Sequence, residues 1–129
     1  MRLLLDTHVL LWALAEPGKI PAPFRERIEA DENEVLFSAA SIWELAIKMQ
    51  VGRFPFPMSP GEIAASAVRM GFLELAVTSA HATRIGRLPL HHRDPFDRIL
   101  VAQTLCEPAR FVTADKILAR YSDLVDVIA

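Results

Sequence analysis

Cysteine is nearly missing from this sequence: Cys106 is the only one in 129 residues. That excludes an intramolecular disulfide framework and a cysteine-based metal site, and it suits a reducing cytoplasm. Long hydrophobic runs are missing too. No stretch approaches the roughly 18–20 uninterrupted apolar residues that a membrane span requires. Basic residues are not in excess: 14 Lys and Arg stand against 16 Asp and Glu, giving a net charge of −2. A general nucleic-acid coat protein is thereby excluded. A nuclease is not, because a local basic rim can guide a strand while the centre of its site stays acidic. Internal repeats, low-complexity tracts and long charge runs are absent as well.

What the chain does have is apolar content, at 52% of its residues. That is rich for a soluble protein and enough to fill one core, so residues 1–129 are expected to form a single domain. The opening MRLLLDTHVLLWALA has the outline of a secretory signal, but Asp6 and His8 interrupt its apolar run. It reads as a buried strand and a helix instead of a targeting segment.

Arg2 to Leu5 is a short apolar run ending abruptly at Asp6, which predicts a buried strand. Thr7 to Ala15 then carries helical spacing and is stopped by Glu16-Pro17-Gly18. Residues 22–32 predict a charged surface helix, and Val35-Leu36-Phe37 a second strand. A helix is expected from Ser41 to about Gln50, followed by a Pro-rich loop from Gly52 to Met58. Ser59-Pro60-Gly61-Glu62 is a helix start combining an N-cap, a proline at the first position and a reaching glutamate; Gly71 ends that helix. Phe72 to Val77 predicts a third strand, with a helix over about 80–87 after it. Asp94-Pro95-Phe96-Asp97 opens a helix to about Cys106. Phe111 to Thr113 predicts a strand, Asp115 to Tyr121 a short helix, and Leu124 to Ile128 a last strand. Strands alternating with helices predict an α/β fold: a mainly parallel sheet of four to five strands, covered on both faces.

Four acids stand out on this map. Asp6 follows the first strand, Glu44 lies one turn into the helix after the second, Asp97 one turn into the helix before the fourth, and Asp115 just beyond that strand. The carboxyl ends of parallel strands share one edge, where ligands bind. Two carboxylates about 5 Å apart repel by roughly 3 kcal/mol at an effective dielectric near 20. A cluster of four therefore calls for protons or a cation, and Mg²⁺ or Mn²⁺ are the natural partners of oxygen donors. Such a site suits hydrolysis of a phosphodiester without a protein nucleophile. Helix physics alone also accounts for each acid taken singly. Asp6 and Asp115 precede helices, Ser41 and Glu44 fit a capping box, and Asp94 fits an N-cap with Asp97 three residues on.

The sequence around the acids carries a resemblance. LLLDTHVLLWAL, FSAASIWELAIKMQVGRF, HRDPFDRILVAQ and FVTADKIL resemble, in order, the four motifs of the PIN domain, specifically of VapC-like toxins of bacterial toxin–antitoxin pairs. The likeness implies a three-layer α/β/α sandwich. It also implies that Asp6, Glu44, Asp97 and Asp115 hold Mg²⁺ or Mn²⁺, with Thr113 helping to position the fourth acid or the attacking water. The activity it implies is endonucleolytic cleavage of RNA, often structured RNA such as tRNA. It further implies a homodimer and inhibition by a cognate antitoxin protein. The third motif offers both Asp94 and Asp97; the DRILVA context assigns the site role to Asp97 and leaves Asp94 as the N-cap.

Other residues invite a role and have plainer explanations. His8 reads as a partly buried structural histidine, and His91 and His92 as surface-loop residues without metal spacing. Lys48, one turn after Glu44, is expected either to contact phosphate or to form a surface pair with it. Arg93 and Arg98 flank the third motif and are candidates for RNA contact. Phe54 to Met58 is apolar for a connector, which fits core packing or a partner groove equally well. Trp12 and Trp43 are expected in the core or a dimer interface. The competing functions are a non-catalytic module of the same fold and a small-substrate phosphatase or phosphotransfer protein. The phosphatase needs a second Asp two residues after Asp6, where this chain has His8.

Overall fold

Alternate residues of each central strand enter opposite halves of the core, and this sets the layers. The computed structural model describes residues 1–128. Its strands are β1 (Arg2–Leu5), β2 (Glu34–Ser38), β3 (Leu73–Leu75), β4 (Arg110–Thr113) and β5 (Val125–Val127). All pair in parallel, in the order β3-β2-β1-β4-β5. The helices are α1 (Thr7–Ala15), α2 (Ala22–Glu29), α3 (Ala39–Gln50), α4 (Pro60–Arg69), α5 (Ser79–Ile85) and α6 (Pro95–Cys106).

Leu3, Leu5, Val35, Phe37 and Val112 pack on one face of the sheet with Val9 and Leu10 of α1, Leu45 of α3 and Ile63 of α4. Leu4, Leu36 and Phe111 point to the other face and meet Leu100 and Val101 of α6. A sheet covered on both sides needs near-continuous apolar strands, and Leu3-Leu4-Leu5 supplies one. Truncating Leu4, which is fully buried, is expected to cost about 2–5 kcal/mol.

Several element boundaries differ from expectation for local reasons. The helix expected over 22–32 stops at Glu29, and β3 is reduced to three residues. Asp115 caps a 3₁₀ turn over Lys116–Arg120, not an α-helix. The helix bearing Glu44 begins earlier than Ser41: Ser38 is its N-cap, its hydroxyl accepting from Ala40 N. The capping box expected for Ser41 and Glu44 is therefore not formed, and Glu44 lies in the second turn. The box at Ser59 and Glu62 is present with both of its hydrogen bonds. Gly71, at φ 91°, closes the end of α4, with its own N–H bonded to Val68 O and that of Phe72 to Ala67 O.

The chain builds β2 and β3 to one side of β1, then crosses to place β4 and β5 on the other. The order of construction thus reverses between β1 and β4, and a crevice opens there at the carboxyl ends of these strands. Among the described residues, no helix is long and apolar enough to cross a membrane.

Candidate active site

Asp6 leaves β1 at that crevice and caps α1, its Oδ1 accepting from Val9 N at 2.7 Å. Its Oδ2 accepts from Thr113 Oγ1 at the end of β4, at 2.5 Å, and from Ala114 N at 3.3 Å. Thr113 Oγ1 in turn accepts from Asp115 N at 3.1 Å, so one hydroxyl ties two of the acids across the reversal point. Asp6 is buried, and burial pushes its carboxyl above the usual aspartate range despite these hydrogen bonds.

Glu44 reaches the same place from α3 and is likewise buried. Its Oε1 lies 2.8 Å from Thr7 Oγ1, which also lies 2.9 Å from Ser41 Oγ. A hydroxyl carries one proton, so Thr7 donates to the carboxylate and accepts from Ser41. Ser41 has thus exchanged its expected capping role for a place beneath the site. Glu44 Oε2 pairs with Lys48 Nζ at 2.8 Å.

Asp97 stands at the third position of α6, where the N-cap Asp94 accepts from its backbone N–H at 3.0 Å and from Phe96 N at 2.8 Å. Asp94 is the cap, as its sequence context implied, though it also lines the cavity. The Asp97 carboxyl is pushed up to about 6, first by burial and then by Asp94, with Glu44 and Asp6 adding to it and His92 opposing. Asp115 Oδ1 caps the following turn through Ile117 N at 3.0 Å.

Asp6, Glu44, Asp97 and Asp115 line one cavity of about 270 Å³, together with Thr7, His8, Lys48, Asp94 and Ala114. The four acids come from four different parts of the chain, and helix capping explains none of the convergence. Oxygen donors of this charge around one cavity, one with its proton affinity raised by burial and by neighbouring acids, are a fitting donor set for Mg²⁺ or Mn²⁺.

The sequence profile of a known family matches residues 3–124. The chain belongs to the PIN domain family. Among solved structures, it is similar to a chain in the crystal structure of VapBC2 from Rickettsia felis bound to a DNA fragment from their promoter. The TM-score is 0.70 at 14% identity, with 100% of each chain covered. At that identity the likeness speaks for the fold. No curated protein matches the sequence.

Other expectations need correction. His8 is exposed at the PIN cavity, its ring 6.2 Å from that of Trp12, and is not a buried structural residue. Trp43 is 61% exposed and stacks edge-on against Phe96, so it is no core residue. Trp12 does pack against the core, as do Phe54, Phe56 and Met58 of the Pro-rich loop. Arg93 is exposed. Arg98 turns inward, donating to the carbonyls of Ile85, Pro89 and His92 and to Tyr121 Oη. It is a structural clamp in this arrangement, not a free phosphate contact. His92, expected on a surface loop, sits against the acids, with Nε2 2.9 Å from Asp97 Oδ2 and 3.1 Å from Asp115 Oδ2. No local pattern marks it, because its position depends on a loop folding back over α6.

Proposed function

We propose that this PIN domain protein is a metal-dependent endoribonuclease and the toxin of a toxin–antitoxin pair. The observation that carries the reading is the convergence of four carboxylates from separate elements on a single cavity at the sheet's reversal point. In this reading Asp6, Glu44, Asp97 and Asp115 hold Mg²⁺ or Mn²⁺, which supplies electrostatic stabilisation of the charge building on the scissile phosphodiester.

The chain's own groups do the rest. Thr113 fixes Asp6 and orders the backbone that presents Asp115. Thr7 and Ser41 fix Glu44 from below. A carboxylate oxygen of the cluster left free of the cation would orient the attacking water and accept its proton. Lys48 lines the cavity and pairs with Glu44, which makes it a candidate phosphate contact, and Arg93 is exposed just before the N-cap of α6.

The partner in this proposal is an antitoxin protein, as in the VapBC2 complex, and the setting is the cytoplasm. A homodimer is part of the same reading. It is supported by an apolar groove of about 510 Å³ between α3, α5 and α6, lined by the exposed Trp43 and Val77 and the half-buried Phe96.

The test is cleavage of total RNA by purified protein in Mn²⁺, Mg²⁺ or EDTA, with Asp6→Asn as control. Discrete fragments that require metal and vanish in the control are expected. Intact RNA throughout, with no Mn²⁺ uptake, would leave a non-catalytic PIN module as the better account.

A further inference from the structure

The loop between α5 and α6 carries His91 and His92, and its backbone is held on both sides of residue 92. Tyr121 Oη accepts the N–H of His92 at 2.9 Å and that of His91 at 3.2 Å. Arg98 Nη1 donates to the carbonyl of Pro89 at 3.1 Å, to that of His92 at 3.4 Å and to Tyr121 Oη at 3.1 Å. Its Nη2 reaches the Ile85 carbonyl at 3.3 Å. The His91 ring packs against Tyr121 with centroids 5.0 Å apart. A loop tied at this many points fixes where the His92 side chain projects.

That place is between two acids from different elements. An imidazole nitrogen near two carboxylates has two chemically distinct roles: third ligand of a cation held by Asp97 and Asp115, or hydrogen-bond donor to both. The far side of the ring decides between them. His92 Nδ1 accepts the N–H of Arg93 at 3.1 Å, so its lone pair is engaged and the ring proton of the neutral form sits on Nε2. A ligating imidazole needs the opposite arrangement, with a free lone pair on the coordinating nitrogen and the other N–H given to an acceptor. The ligand atoms of His92, Asp97 and Asp115 all lie within 4.8 Å of one another, so the state of the ring and not its distance separates the two roles.

We propose that His92 is a positioning residue of the acidic site, its Nε2–H bridging Asp97 and Asp115. Two like-charged groups on separate elements are thereby held in register, with Tyr121 and Arg98 as the clamp that keeps the bridge in place. Asp97 Oδ2 and Asp115 Oδ2 face the imidazole, Asp115 Oδ1 caps the following turn through Ile117 N, and both residues line the cavity. The inference deepens the metal-dependent reading above and rests on it for its functional consequence.

Two measurements test it. In the metal-free protein, the imidazole ¹⁵N spectrum is expected to show His92 protonated at Nε2 with Nδ1 as acceptor; the Nδ1–H tautomer would overturn the bridge. In Mn²⁺ titration calorimetry, His92→Leu is expected to bind about 10- to 100-fold more weakly than wild type. His92→Gln, which keeps an N–H donor, should recover most of that loss, and melting curves confirm that both fold. The Mn²⁺ electron spin-echo spectrum of the wild type should lack a directly bound imidazole nitrogen. Wild-type affinity in His92→Leu, or a direct nitrogen coupling lost in that variant, would overturn the proposal. A wild type that takes up no Mn²⁺ would defeat the metal-dependent reading instead, and the tautomer would still decide whether the bridge exists.

Discussion

At the amino ends of the strands, acids are matched with bases; at the carboxyl ends, four acids crowd one cavity whose lining holds a single lysine, Lys48. Asp126 accepts from Arg110 at 2.6 and 3.0 Å and from Arg27 at 3.1 Å, and these guanidinium bonds hold its carboxyl below the usual range. Glu107 lies 2.6 Å from the buried His81 and 3.4 Å from Arg2, and its carboxyl is likewise lowered. Asp6 and Asp97, at the other edge, are raised. The first arrangement serves the fold. The second opposes it, and such an arrangement is intelligible as a site prepared for a cation.

The comparison is sharpened most by removing one acid from each edge. Asp6→Asn is expected to abolish metal-dependent RNA cleavage, a loss of about 10³-fold or more, since several kcal/mol of charge stabilisation depend on the cluster. Arg110→Ala should leave cleavage unchanged. Comparable activity losses in both variants, measured as initial rates, would erase the distinction between the edges. Thr113→Val keeps all four acids but removes the hydroxyl joining Asp6 to Asp115, and a loss of about 10- to 100-fold in metal affinity is expected by calorimetry. The smallest effect belongs to the paired edge. Arg110→Ala should cost about 1 kcal/mol of folding stability at neutral pH, read from urea midpoints, because its partner Asp126 retains Arg27.

Much of this contrast was legible in the sequence, and the reasons differ by residue. Asp6 and Asp115 follow apolar strands, so their arrival at one edge follows from a parallel sheet. Asp97 was legible through the motif around it, since periodicity alone does not bring a crossing helix to that edge. For Glu44 it is the plainer capping reading that fails: Ser41 looked like a cap, but the helix starts at Ala39 under Ser38. His92 and Arg98 escaped because their surroundings are made by long-range contacts. Tyr121, 29 residues from His92, is the group that seats the loop. Trp43 shows the same limit in reverse: its helical stripe suggested burial, yet with Phe96 packed edge-on against it the ring stays largely exposed.

The two edges also predict opposite responses to pH. A lowered carboxyl, as in Asp126 and Glu107, adds stability above its unfolded value that is lost as pH falls through its folded value. A raised carboxyl does the reverse. Between the ordinary 3.8 and about 6, folded Asp97 binds more protons than the unfolded chain, so its contribution declines as pH rises and is fully unfavourable above about 6.

The most direct measurement of the central claim is therefore thermal unfolding of wild type and Asp97→Asn at pH 5 and pH 7.5, each with and without Mn²⁺. Without metal at pH 7.5, Asp97→Asn should be the more stable, by on the order of 1–3 kcal/mol, with the gap narrowing at pH 5. With Mn²⁺ at about 100 times its dissociation constant, the wild type should gain about 2.7 kcal/mol at pH 7.5 and less at pH 5, while the variant gains little. A wild type that is the more stable without metal, and indifferent to Mn²⁺, would contradict the account and mark the four acids as ordinary structural groups.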